Sequence, residues 1–468
     1  MKFSPTLQDL TLLLLGTGTS SSLPSIGCLT NPRSGCWCCR STLLKDDPKY
    51  STEYRKNERR NTSAVVRIPY PQDDHRRERV ILVDCGKTFF SGALEHWPKQ
   101  GLREIDAVLL THAHADACLG LDDLRGWTLR GHIQASIPIY CTKDTFVEVQ
   151  KAFPYLTDVG KATGGGDIPA LTWHIIDPSE PFDLFGIEIV PLPVEHGKFF
   201  TTPPKPFLCS GFLFNRQICY LSDVSGIPDS VWATLDHHLD LPFSRTSSSS
   251  ARTNEIESTL PVVNGTSSSS TTTTTTTGAD AGASSKPRLQ ALVVDCLRLE
   301  PFTSHFGLGQ AVETAERLGA RKTYLIGFGH RTSHTAWVHA TRLLASPSTT
   351  SRDLASGSSR QADEGEDRPV LFHELYNGHE DATKEDVEVF GRTAVKVVEK
   401  WERDEARFAR TGRGGRGGEN GVAGSGVDAG PDATTRRGVW IRPSCDGMNI
   451  RVGRDGRTVT DDEYGDEA

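Results

Sequence analysis

Thr111-His112-Ala113-His114-Ala115-Asp116-Ala117 follows directly on the apolar run Ala107 to Leu110. In an extended or tightly turned backbone, side chains two positions apart point the same way, so His112 and His114 can face one cation together, with Asp116 next in line. Two imidazoles and a carboxylate begin a zinc site, the alternative being that the three residues only share a solvated loop. Two later strand ends supply further donors. Val194-Glu195-His196-Gly197 follows the run Ile187 to Leu192, and Ser222-Asp223 closes the run Cys219 to Leu221. Together these residues make three histidines and a carboxylate, a set that holds a catalytic zinc and leaves one position open for water.

Those runs belong to a longer series. Thr11 to Leu15, Ser63 to Ile68, Val80 to Val83, Ala107 to Leu110, Ile137 to Cys141, Ile187 to Leu192, Phe212 to Phe214, Cys219 to Leu221, Ala291 to Val294 and Thr323 to Ile326 are short, mostly rich in β-branched residues, and predict strands. Helical spacing appears at Asp122 to Arg130, Asp144 to Phe153 and Leu308 to Leu318. So many strands predict a two-sheet α/β arrangement with functional residues at strand ends. Three stretches offer almost nothing apolar to offset the entropy of ordering: a Ser/Thr-rich insertion at 244–285, a Ser/Asp/Glu/Gly segment at 346–367, and a Gly/Arg-rich loop at 411–435. They are expected to be disordered additions to a single domain spanning 1–468.

Composition narrows the function classes. Lys plus Arg is 52 against 60 Asp plus Glu, a net charge of -8, which argues against a chain held on nucleic acid by bulk positive charge. The most apolar N-terminal stretch, Leu10 to Leu15, is far short of the roughly 20 residues of a membrane span and leads into no cleavage-like site. A cytoplasmic protein without a membrane partner is expected. In that setting the 11 cysteines read as buried apolar residues or metal thiolates rather than as a disulfide framework. Cys28 and Cys36-Trp37-Cys38-Cys39 crowd together, and a C-x-x-C can wrap a tetrahedral zinc, provided a fourth ligand comes from elsewhere. Reduced, buried thiols are the alternative.

The order Gly16-Thr17-Gly18, Val83-Asp84-Cys85-Gly86, Thr111 to Asp116, His196, Ser222-Asp223, Val294-Asp295-Cys296 and Asp446-Gly447-Met448 resembles the metallo-β-lactamase superfamily, an αββα sandwich. Within it the chain is most similar to the PhnP-like phosphoribosyl cyclic phosphodiesterase branch, a relative of the tRNA 3′-processing nucleases. The resemblance implies that His112, His114 and His196 hold a first metal, that Asp223 bridges to a second, and that Asp116 belongs to the second. Two further second-metal histidines of the family fall on Ala117 and Gly327, whose methyl and hydrogen donate no lone pair. One tight zinc is therefore expected at this site, with a second weak or absent. Asp116 would then be released to serve as general base or to orient water.

By the same resemblance His305 lies near the leaving group as a proton donor, and Asp84 orients the histidine loop through hydrogen bonds. The resemblance also implies a structural zinc site at Cys28, Cys36, Cys39 and His330, for which Cys38 is the alternative to Cys39. The implied activity is zinc-dependent hydrolysis of a small cyclic or nucleotide-like phosphodiester through a metal-bound hydroxide, with Asp116 and Asp223 handling the proton of the water. Carboxylic ester or thioester hydrolysis stays open, as does a zinc-stabilised binding protein that has lost catalysis along with its second metal.

Overall fold

The computed structural model describes residues 6–46, 48, 51–72, 78–240, 288–345, 384–411 and 439–465. The expected insertions at 244–285 and 346–367, and all of 411–435 beyond Thr411, lie outside the described residues.

Fifteen strands among the described residues form two sheets. The first contains β1 (Leu10–Gly16), β2 (Ser63–Pro69), β3 (Glu78–Val83), β4 (Ala107–Leu109), β5 (Ile137–Cys141), β6 (Leu171–Ile175), β14 (Asn449–Val452) and β15 (Val459–Asp461). Its order is β15-β14-β1-β2-β3-β4-β5-β6. The second contains β7 (Phe182–Leu184), β8 (Ile187–Phe199), β9 (Lys205–Phe214), β10 (Ile218–Leu221), β11 (Leu289–Asp295), β12 (Ala320–Ile326) and β13 (Ile441–Pro443), ordered β13-β12-β11-β10-β9-β8-β7.

The uninterrupted leucines of β1 follow from burial on both faces, where a continuous apolar run replaces the usual alternation. Leu10, Leu12 and Leu14 enter the core between the sheets, against residues such as Phe212, Tyr220 and Tyr324. Leu13 and Leu15 face outward, into a layer covered by α1 (Phe89–Gln100) and α2 (Lys143–Ala152). β11 repeats the pattern, with Ala291 and Val293 inward and Leu292 and Val294 outward. There α3 (Asp229–Asp240), α4 (Leu308–Leu318), α5 (His334–Ala345) and α6 (Lys384–Thr411) complete the outer layer. The result is helix, sheet, sheet, helix.

Each of the ten expected strands has a counterpart. The helix expected over Asp122 to Arg130 is instead three short pieces, Leu121–Leu124, Arg125–Thr128 and Leu129–Gly131, as the chain leaves helical geometry at Leu129 (ψ 118°) and turns left-handed at Arg130 (φ 52°). β7, β13 and β15 are three residues each, too short to show a period, and α1 carries Pro98 and a buried His96 that blur its apolar face.

The chain's late segment closes the first sheet. Asp446 accepts hydrogen bonds from Thr17 N (2.9 Å), Thr17 Oγ1 (2.8 Å) and Arg60 N (2.7 Å). Gly447 N donates to Leu14 O (2.7 Å), and Leu14 N to Met448 O (2.9 Å), which sets β14 beside β1. Gly447 holds φ +88°, and a Cβ there would meet His96 Cε1 at 2.6 Å, so only glycine fits.

Candidate metal centre

His112 and His114 leave the end of β4 on a loop fixed from beneath. Asp84, itself left-handed at φ 61° just past β3, accepts from Thr111 N and Thr111 Oγ1, both at 2.8 Å. The Thr111 hydroxyl gives its proton to that carboxylate, so it accepts one from His112 Nδ1, 2.8 Å away. His112 Nε2 keeps its lone pair, buried and without a hydrogen-bond partner. His196, at an irregularity in β8, donates Nδ1–H to Ser304 O (2.8 Å) and likewise leaves Nε2 to offer a lone pair. His114 is exposed, and its ring stacks on Phe207 at 4.6 Å between centroids and 10° between planes.

One ligand atom from each of His112, His114 and His196 lies within 4.8 Å of the others. The same spacing joins His196, Asp223 and His305, and also His112, Cys209 and Asp223. An orphaned buried nitrogen among convergent imidazoles, beside a buried carboxylate, is what a divalent cation of zinc's type needs. Asp116, in the first turn of the short helix Ala115–Cys118, stands outside these groupings, and Ala117 is buried with only its methyl to offer.

The charges divide sharply. Burial, with the neighbouring His196 and His114, pulls His112 down to about 3 despite Asp223, and His114 is lowered for similar reasons. Both rings are neutral at pH 7 and can ligate. Burial raises Asp223, but His112, His196 and His305 outweigh it and hold the carboxyl below its ordinary value. Asp116 rises to about 6 through burial and the charge of Asp223. Burial also lowers His305, yet the charge and 2.7 Å hydrogen bond of Asp295, with Asp223 and Asp116 beyond, lift it to about 9. The neutral rings of His112 and His114 thus stand beside an imidazolium.

Asp295 is legible in the sequence only as part of the Val294-Asp295-Cys296 motif; its pairing with His305 is not. It sits at the end of β11, fully buried, and accepts from Val224 N (3.2 Å) as well as from His305. Its Oδ1 occupies the space beside Gly327, where φ is +80° and a Cβ would lie 2.2 Å from that oxygen. The missing side chain at 327 therefore makes room for the Asp295–His305 pair. Ser304, whose carbonyl fixes His196, and Phe207 carry no signal in the sequence that would have singled them out.

The second cluster also assembles. Cys28, Cys36, Cys39 and His330 present ligand atoms within 4.8 Å of one another. His330 Nδ1 lies 3.3 Å from Cys28 Sγ and 3.5 Å from Cys36 Sγ. The hydrogen bond from Cys39, and then His330, outweigh burial to lower Cys36 to about 4, while Cys39 is raised in turn. Cys38 does not join the group; it is buried, which pushes its thiol up to about 12.

Residues 79–245, which carry the histidine loop, His196 and Asp223, match the sequence family described as the Beta-lactamase superfamily domain. The chain has the metallo-β-lactamase fold. Among proteins similar to this metallo-β-lactamase-fold chain is an octanoyltransferase of Porphyromonas gingivalis (strain ATCC BAA-308 / W83), 31% identical over 186 residues. That match covers 40% of this chain and 31% of the relative, so the chain spans under a third of that protein's length. Similar solved structures include a diphosphatase of the PhnP family (26% identity, 70% of this chain and 89% of that one, TM-score 0.45). Another is YhfI from Bacillus subtilis, a metallo-β-lactamase fold protein (15% identity, 70% and 89% covered, TM-score 0.39). No helix among the described residues is long and apolar enough to cross a membrane.

Proposed function

We propose that the chain is a zinc-dependent hydrolase of small, cyclic or nucleotide-like phosphodiesters, with one catalytic zinc and one structural zinc. The observation that carries this reading is the convergence of His112, His114 and His196 within 4.8 Å, next to Asp223 and His305. His112, His114 and His196, with Asp223, would hold the catalytic ion. A zinc ion so held lowers the pKa of water to about 7 and supplies a nucleophile at neutral pH.

The protein's own groups do the rest. Asp223, with Asp116 nearby, takes the proton that water loses as its oxygen adds to phosphorus. His305, kept protonated by Asp295, gives its proton to the departing oxygen as the P–O bond breaks, help worth about 10²–10⁴ in rate. The exposed face of His114 leaves the side on which a substrate arrives open. Methyl and hydrogen at Ala117 and Gly327 weaken any second ion there. Cys28, Cys36, Cys39 and His330 present a complete four-ligand set, the usual form of a structural zinc.

Metal content per chain, measured beside hydrolysis of bis-p-nitrophenyl phosphate and of a p-nitrophenyl carboxylic ester, tests the proposal. The parent is expected to cleave the phosphodiester in preference to the ester, and His112→Ala to lose about one zinc together with that activity. Unchanged zinc and turnover in His112→Ala would overturn it. An inert parent, or one that cleaves only the ester, would do so equally.

A further inference from the structure

The hairpin of β8 and β9 runs past the metal centre as an arm. Phe199 pairs with Lys205 across the hairpin, so the two side chains share one face. Phe207 and Cys209 follow Lys205 at intervals of two and lie on that face as well. It is the face turned to the site, since Phe207 stacks on His114 at 4.6 Å and Cys209 Sγ is 3.8 Å from His112 Nδ1. Phe199 meets Phe207 edge to face at 5.3 Å, and Phe200 at the tip is wholly exposed. The loop carrying Ser304 and His305 adds a third exposed ring, Phe302, with the Arg298 guanidinium 4.7 Å from its centroid. The bond from His196 Nδ1 to Ser304 O joins arm and loop.

Exposed aromatic rings at the mouth of a polar site mark a ligand-binding surface. Exposed Lys205 and Arg298 stand among them, in a chain that is acidic overall. A flat ring joined to a phosphate satisfies both features. We propose that Phe199, Phe200 and Phe302 form a subsite that stacks on the planar base of a nucleotide-type substrate, with Lys205 and Arg298 attracting its phosphate. This rests on the phosphodiesterase reading and narrows it to substrates bearing an aromatic ring.

Calorimetric titration of the zinc-loaded full chain with AMP and with ribose 5-phosphate tests the subsite without requiring turnover. Stacking on one base predicts that AMP binds roughly 5- to 150-fold more tightly. Phe200→Ala and Phe302→Ala should each shrink that ratio while leaving ribose 5-phosphate affinity and zinc content unchanged, and Lys205→Gln should weaken both ligands alike. Equal affinity for the two ligands in the parent would overturn the proposal, as would tighter binding of n-octyl phosphate than of AMP. Diester hydrolysis without a ring preference removes the subsite and leaves the hydrolase. A ring preference in a protein that cleaves no diester leaves the subsite and removes the hydrolase.

Discussion

The two clusters of this chain are built on opposite principles. At the strand ends, imidazoles converge beside Asp223, one of them, His114, faces outward, and a protonated His305 stands alongside. In the Cys28, Cys36, Cys39 and His330 group, three thiols and one imidazole leave no ligand position for water, and a thiolate is favoured at Cys36. Open coordination suits chemistry, whereas closed coordination suits anchoring. Variants in the two groups should therefore fail in different ways.

The largest separation is expected from His112→Ala, which should reduce phosphodiester hydrolysis to background, by more than about 10³-fold, while the zinc of the cysteine group is kept; steady-state kinetics beside metal analysis reads both. Cys39→Ser should do the reverse, losing the other metal and about 2 kcal/mol of stability or more, a fall of about 2–4 °C in the midpoint. If Cys39→Ser abolished turnover with no change in stability, the division between the clusters would be broken.

His305→Ala should cost about 10²–10⁴ in kcat with metal content preserved. The same residue sets a pH limit. Its folded value is raised to about 9, so the ring is protonated below that pH, and the rate should fall as pH rises through about 9. A profile flat from pH 7 to 10 would remove His305 as the acid. The smallest effect sharpens the role of Asp295: Gly327→Ala adds only a methyl, but at φ +80° and 2.2 Å from Asp295 Oδ1 it must push the carboxylate aside. Activity should drop about tenfold and the alkaline limit should move down, which a pH–rate profile would show.

Much of this contrast is visible in the chain before folding. His112 and His114 share a short spacing, and His196 and Asp223 each end an apolar run, so the donors announce themselves locally and the two-sheet fold explains why strand ends meet. What stayed hidden depends on distance in sequence. Asp295 contacts His305 across a loop, and Gly327 makes room for it from the next strand. Phe207 is an ordinary strand aromatic until the hairpin places it on His114. The broken helix at Asp122 to Arg130 shows the same limit, because its apolar spacing is helical and the backbone of Leu129 and Arg130 ends it.

Anomalous diffraction at the zinc edge from crystals of the full chain tests the central claim most directly. The account predicts one peak within bonding distance of His112, His114 and His196 and a second among Cys28, Cys36, Cys39 and His330. Density only at the cysteine group, after growth in excess zinc, would contradict it.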